Sequence, residues 1–263
     1  MGSKKALVRR ISPRLAEGIV TTIERQAVDV HLAAKQWNGY VEAMEGANWE
    51  IIEVPPADGC PDGVFIEDDV VVFRNVAVIT RPGANSRRPE VAGMEAAVEE
   101  LGCSINRIRS PGTLDGGDVL KIGDTIYVGS GGRTNADGLR QLRSILGPLG
   151  AKIIAVPVPV HKALHLKSAV TALPDGTIIG YPPLVDDPDF FPRFVPVPEE
   201  SGAHVVDLGG NKILMAADCP RRIELFAGLG YDPVTVDISE FQKLEGCVTC
   251  LSVRLRELSG IES

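Results

Sequence analysis

The 263-residue sequence predicts an α/β fold: a five-fold pseudosymmetric α/β propeller of ββαβ-type repeats around a central channel, with residues 1–263 as a single domain. Three observations predict it. Hairpin-like patterns start near residues 67, 118, 168, 204 and 250, at intervals of 36 to 51 residues. Self-similarity at periods of roughly 20–50 residues marks repeat architectures. The copies read in one order, hairpin, helix, strand, and such a unit cannot bury its sheet alone, so the units must pack around a shared centre. The fifth hairpin needs both ends of the chain: Cys250–Leu255 paired with Ala6–Arg10 would close a ring. An open α/β sheet is the alternative, since hairpins and helices also combine there.

Taken in order, Ala6–Arg10 is a strand ended by Ser12-Pro13, and Thr22 to Gly46 is helical. In that helix Val30, Ala33, Ala34, Trp37, Val41 and Met44 recur at helical spacing. Trp49–Val54 is a strand stopped by Pro55-Pro56. Val70–Phe73 and Val76–Ile79 flank the polar pair Arg74-Asn75 as a hairpin. A polar loop from Arg81 and a helix over Pro89–Gly102 follow. The second copy is Asp118–Ile122, the turn Gly123-Asp124, Thr125–Val128, a helix over Asp137–Leu149 and the strand Lys152–Val156. Ser168–Leu173 with Thr177–Ile179 is the third. The fourth is Ala203–Leu208, Lys212–Met215, a helix over Pro220–Gly228 and the strand Asp232–Val236.

Composition narrows the function. Hydrophobic residues make up 44% and charged residues 24%, as in a globular chain with a real core. The net charge of −8 and the lack of a Lys/Arg cluster argue against nucleic acid and favour a small cationic ligand. The opening Met1–Ala6 holds no apolar run, so no signal peptide is expected, and no stretch reaches the ~18 apolar residues that span a bilayer. Five cysteines, an odd count, point to reduced thiols and a cytoplasmic location.

A ring would bring hairpin starts to one mouth of its channel. Glu67, Asp68, Asp118, His165 and Cys250 all stand at or just before such starts. A cysteine, a histidine and a carboxylate far apart in sequence are the parts of an activated thiol nucleophile. Each has a plainer reading. Cys247-Val248-Thr249-Cys250 matches a redox or half-zinc pattern, but on a strand residues three apart face opposite ways, so the sulfurs should diverge. Cys60, Cys103, Cys219 and Cys247 read as core thiols. His165 sits among apolar neighbours, and His31, His161 and His204 are alternatives. Asp115 precedes Gly116-Gly117, which is either an ordinary turn or a close approach to a ligand. Arg87 and Arg133 lie in polar loops, where arginines are either solvated or grip a carboxylate.

Together and in order, Val64–Asp68, Thr80–Ala84 with Ser86-Arg87-Arg88, Thr113–Leu120, Arg133-Thr134-Asn135, Leu164–Ser168 and Thr249-Cys250 resemble the dimethylarginine dimethylaminohydrolases of the guanidino-group modifying (pentein) superfamily. The resemblance runs from about Ala6 to Arg256. It implies the same five-fold propeller and a hydrolase that converts Nω-methylated arginine to citrulline without metal or cofactor. It implies Cys250 as nucleophile, His165 as general acid and base, and Asp115 as the carboxylate that orients His165. Asp68 and Glu67 would face the guanidinium side, with Glu67 orienting its neighbours. Asp62 would meet the substrate amino group, and Arg87 with Arg133 its carboxylate. Backbone carbonyls at Leu244 and at Val20, or equally Ile19, in an N-terminal lid would take the remaining amino hydrogens. Glu245 stands where relatives often have Asp. The partners expected are the small-molecule substrate, no nucleic acid and no membrane, with a homodimer allowed.

An arginine deiminase or amidinotransferase of the same ring is the nearest rival. A non-catalytic arginine-binding ring and a thiol-redox protein are rivals from other classes.

Overall fold

A computed structural model describes residues 4–159 and 161–256 as five three-stranded sheets. Met1–Ser3, part of the stretch in which no leader is expected, lie outside the described residues. Strand β1 is Lys5–Val8, followed by helix α1, Val30–Gly46, and β2, Glu50–Glu53. Then come β3 (Val70–Phe73), β4 (Val76–Ile79), α2 (Val91–Glu100) and β5 (Ser104–Arg107). The third set is β6 (Val119–Ile122), β7 (Thr125–Ser130), α3 (Ala136–Leu146) and β8 (Lys152–Pro157). The helical turn α4 (Leu166–Ala169) leads into β9 (Val170–Ala172), β10 (Ile178–Gly180) and β11 (Phe194–Pro196). The last set is β12 (Val206–Gly209), β13 (Lys212–Ala216), α5 (Pro220–Gly228) and β14 (Asp232–Val236), with α6 (Ser239–Gln242) and β15 (Val253–Leu255) after it.

Every sheet has one plan: an antiparallel hairpin with a third strand added parallel to the hairpin's second strand. The remaining sheet uses both ends of the chain. Lys5 opposes Leu255 across an antiparallel pair and Glu50 across a parallel one. The ring therefore closes as the sequence predicts. The leading strand of each sheet lines a central channel of about 920 Å³.

Side-chain alternation explains why strand β3 is apolar throughout. Val70 and Val72 point into one core and Val71 and Phe73 into the next, so both faces of each blade are buried. Five such cores lie between neighbouring blades.

Two local expectations are corrected. The unit of β9 to β11 has no α-helix: Pro182–Leu184 and Pro188–Phe190 are 3-10 turns, because Pro182, Pro183, Pro188 and Pro192 remove donors and clash with a helical path. Phe191 fills the space against Tyr127, with ring centroids 5.4 Å apart. The leading strands also start later than predicted. A short helical turn precedes each: Ile66–Asp69, Gly116–Asp118, Leu166–Ala169, Ser201–Ala203, and the turn closed by Cys250 N–H donating to the Cys247 carbonyl at 3.1 Å. These five turns are equivalent positions in the ring, and four of them carry the candidate chemistry. Among the described residues, no helix is long and apolar enough to cross a membrane.

Candidate active site

His165 caps the N-terminus of α4, and the first N–H of that turn, on Leu166, donates to Asp118 Oδ1 at 2.9 Å. Asp118 Oδ2 in turn accepts from Thr134 Oγ1 at 2.6 Å. This fixes the imidazole, whose Nε2 lies 3.0 Å from Asp115 Oδ2. Asp115 is held by Gly83 N–H, which donates to its Oδ1 at 2.8 Å. On the other side Asp68 Oδ1 accepts from Gly117 N–H at 2.6 Å.

The two glycines after Asp115 are needed for room. A Cβ on Gly117 would stand 2.6 Å from His165 Nδ1 and 2.7 Å from Asp68 Oδ1; one on Gly116 would stand 1.9 Å from the Glu67 carbonyl oxygen. Neither glycine adopts a left-handed backbone. The turn therefore brings backbone against the imidazole and the acid, a close approach to protein groups.

Burial opposes a charge on His165, yet Asp68, Asp115 and Asp118 outweigh it and hold the ring's pKa up to about 9. Asp68 is likewise penalised by burial but is drawn well below the carboxylate range by His165 and Arg87. Asp68, Asp115 and His165 have ligand atoms within 4.8 Å of one another, the spacing of a metal site. All four of their carboxylate oxygens already accept a hydrogen bond from protein groups, and the imidazolium supplies the positive charge between them.

Arg87 is buried and largely committed. Its Nε–H points at Glu90, its Nη2 donates to Glu90 Oε2 and to the Phe65 and Asp62 carbonyls, and one Nη1 hydrogen goes to Asp68 Oδ2. Of five N–H groups one remains. Glu67 does not face the same way as Asp68. It turns toward the channel, where Lys167 Nζ (2.6 Å), Arg254 Nη2 (2.7 Å) and Thr249 Oγ1 (2.9 Å) surround its carboxylate. Beneath the acidic turn, buried Arg9 donates to Asp69 and to the Gly63 and Glu90 carbonyls.

Cys250 is half-buried and Cys247 buried. The Cys250 carbonyl accepts from Glu67 N–H at 3.2 Å, which ties the thiol's turn to the acidic turn. The hydrogen bond to Cys247, burial and the charges of Glu67 and Asp68 push the Cys250 thiol up, which favours its protonated form. The expected divergence of the two sulfurs is overturned. They lie 3.3 Å apart, because residues 247–250 form a turn and not a strand.

Three further predicted residues fasten the segment 18–22 over the site. Asp62 Oδ1 accepts from Ile19 N–H at 2.9 Å. Arg133 Nη2 donates to Thr21 Oγ1 at 3.3 Å. Glu245, in left-handed backbone at φ +60°, accepts from Thr21 N–H at 2.6 Å and Thr22 N–H at 2.7 Å. Val20 packs half-buried on the first core, and Leu244 is buried within 3.2 Å of where a Cβ on Gly18 would sit.

No family model matches the chain. It is 70% identical over 258 residues to the N(G),N(G)-dimethylarginine dimethylaminohydrolase of Streptomyces coelicolor, covering 98% of this chain and 99% of that protein. It is 35% identical to the enzyme of that name from Pseudomonas aeruginosa, over 95% and 99% of the two chains. The chain belongs to the dimethylarginine dimethylaminohydrolase family. A solved family member in complex with citrulline, from Pseudomonas aeruginosa, superposes with a TM-score of 0.89 at 34% identity, covering 97% of this chain and all of that one. Another, carrying an adduct with S-methyl-L-thiocitrulline, superposes at 0.90 with the same identity and coverage. As a family member the protein is a hydrolase of guanidino C–N bonds, and the five-bladed ring is the family's fold.

Within this family member the structure gathers Asp62, Asp68, Arg87, Asp115 and His165 into one connected set of charges, with Cys250 joined to it through Glu67. Glu245 is a latch on segment 18–22, because its carboxylate is filled by two backbone N–H groups and a hydroxyl. Sequence reasoning missed Glu90, Lys167 and Arg254. Glu90 follows Arg87 at i+3, and Lys167 and Arg254 each follow a site residue closely, but nothing in the sequence says which way those side chains turn.

Proposed function

We propose that this protein hydrolyses Nω,Nω-dimethyl-L-arginine, and Nω-monomethyl-L-arginine, to L-citrulline and dimethylamine or methylamine through a covalent adduct on Cys250. The observation that carries the reading is the His165 imidazole, held between Asp68 and Asp115 at the mouth where the Cys250 turn meets the acidic turn. Asp68 accepts the guanidinium and fixes its plane, which aligns the central carbon with the sulfur. The cation lowers the cost of ionising Cys250, whose thiol the Cys247 hydrogen bond, burial and the charges of Glu67 and Asp68 otherwise push up. Attack by sulfur gives a tetrahedral adduct. His165, charged at neutral pH, protonates the departing amine and then takes a proton from the water that releases citrulline. Asp115 keeps the imidazole oriented throughout. Arg133 receives the α-carboxylate, helped by the one free N–H of Arg87, and Asp62 receives the α-amino group. The carbonyls of Leu244 and of Val20 or Ile19 complete that grip when segment 18–22 is closed. The reading includes a cytoplasmic location, one domain over residues 1–263, no cofactor, and allows a homodimer.

Citrulline release should be assayed against dimethylarginine, monomethylarginine, arginine and agmatine in parallel. Methylated arginines should react fastest and agmatine, without a carboxylate, slowly; preference for arginine would transfer the protein to a deiminase role. In His165→Gly the Cys250 sulfur should still attack the amidine carbon of S-methyl-L-thiocitrulline, from which methanethiol leaves without help, and the adduct on Cys250 should then accumulate, as read by mass spectrometry. Turnover at the native rate without an adduct would remove His165 from the water-activating step.

A further inference from the structure

We propose that Cys247 and Cys250 form a dithiol modification site, in which Cys250 reacts with a hydroperoxide and Cys247 then closes a reversible disulfide on it. The two sulfurs are 3.3 Å apart across a single turn, against about 2.05 Å for the bond they would form. That approach is local: the Cys250 N–H to Cys247 carbonyl bond at 3.1 Å puts both side chains on one side of the turn, so closure needs no movement of a blade.

The surroundings divide the labour between the sulfurs. Cys250 is half-buried, so it is the sulfur of the pair that a small oxidant meets first. Cys247 is buried, with Thr249 Oγ1 at 3.3 Å as its other neighbour. Thr249 has already given its proton to Glu67 Oε2 at 2.9 Å, so it can only accept. The Cys247 hydrogen therefore goes to Thr249, which leaves the Cys250 thiol to donate to the Cys247 sulfur. The hydrogen bond between the sulfurs lowers the pKa of Cys247 and raises that of Cys250, which makes Cys247 the readier thiolate for the second step. Cys60, Cys103 and Cys219 are buried in other parts of the ring.

In the first step the Cys250 sulfur attacks the peroxide. An S–O bond forms and the O–O bond breaks. The thiol proton leaves with the second oxygen as water or an alcohol, the sulfur losing two electrons and the peroxide gaining them. In the second step Cys247 attacks the sulfenic sulfur. An S–S bond forms, the S–O bond breaks, and the oxygen departs as water with the proton of Cys247. The disulfide removes the nucleophile from guanidine chemistry, and a dithiol reductant restores it. Without Cys247, a sulfenic acid at Cys250 is open to further oxidation that a thiol does not reverse.

Loss of activity in this scheme rests on Cys250 being the nucleophile of the proposed reaction; the disulfide itself does not. The two cysteines fall on one tryptic peptide, Leu244–Arg254. The protein is treated with hydrogen peroxide, its free thiols are blocked, and that peptide is weighed alongside citrulline release before and after dithiothreitol. The expected result is a peptide lighter by two hydrogens with neither cysteine blocked, activity lost, and both changes reversed by dithiothreitol. Cys247→Ser and Cys247→Ala should lose activity in peroxide without recovery, with Cys250 found as sulfinic or sulfonic acid. The proposal is overturned if the native peptide carries sulfinic Cys250 beside a free Cys247, or if both variants recover as the native protein does. The native peptide alone decides if neither variant folds. A disulfide that forms in a protein releasing no citrulline would sink the hydrolase reading and leave this one standing.

Discussion

His165 works where burial and three carboxylates oppose one another. Its folded pKa of about 9 exceeds the ordinary value of 6.5. A group held higher in the folded state contributes stability that is complete below the unfolded value and is lost as pH rises through the folded one. This stabilisation should therefore fade between about pH 6.5 and pH 9, whereas the acid in the folded enzyme should be lost only as pH rises through about 9. Asp115→Asn removes one of the charges that hold the proton. The alkaline limb of kcat should move to lower pH, and melting temperature should change less over that interval than in the native protein. A limb that stays in place would separate Asp115 from the titration of His165. The two arginines should behave differently. Arg133 is the more exposed, and its protein carboxylate, Asp115, is as far as 3.9 Å away, which leaves it able to take the carboxylate of the substrate in the proposed reaction, so Arg133→Ala should raise KM by roughly ten- to a hundredfold with a smaller effect on kcat, the scale of one charged hydrogen bond. Arg87→Ala leaves Asp68 and Glu90 buried without their cation. It should cost stability by about 3–5 kcal/mol, seen as a lowered denaturation midpoint before any kinetics are read.

At the scale of elements, the turn 115–118 and segment 18–22 carry the sharpest expectations. Gly117→Ala should keep the cooperative melt but cut kcat by about a hundredfold, because the added methyl meets His165 Nδ1 and Asp68 Oδ1 and not the core. An active Gly117→Ala enzyme would show that the imidazole has slack the geometry denies. Glu245→Ala frees the N–H groups of Thr21 and Thr22. Amide exchange over 18–22 should speed up and KM rise by about tenfold, since charged hydrogen bonds contribute about 1.5–3 kcal/mol and this one is partly exposed. Elements whose residues declare one period were legible in the sequence: the hairpins of Val70–Ile79 and Val119–Val128, helix α5 and strand β14. Strand β5 was not, because Ser104–Arg107 is short and, with exposed ends and a half-buried Ile105-Asn106 between them, shows no alternation. Helix α1 starts at Val30 and not near Thr22, because Asp29 caps it through the N–H groups of His31 and Leu32 and the preceding residues serve the latch. The nucleophile and its partners came from motifs. The closeness of Cys247 to Cys250 could not, because it depends on a turn that ends where a strand was expected.

At the scale of the whole molecule, closure is the property that matters. Each core is shared by two blades, so no blade owns a complete interior, and unfolding should be a single transition. Because Lys5 and Leu255 are opposed in one sheet, a chain opened in the exposed turn Gly123-Asp124 and joined by a flexible linker at the former ends should fold. It should melt cooperatively and keep activity within about tenfold of native. A permuted chain that aggregates while the native one does not would mean that chain order, and not closure, directs folding. The pairing of β1 with β15 also has a consequence for synthesis on the ribosome. Strand β1 emerges well before its partner β15 and must wait for it, and contacts so distant in sequence form slowly. Cys250 meets the acidic turn through its own carbonyl, just before β15, so until that part of the chain is made the nascent protein keeps this sulfur apart from Glu67 and Asp68, the charges that push its thiol up.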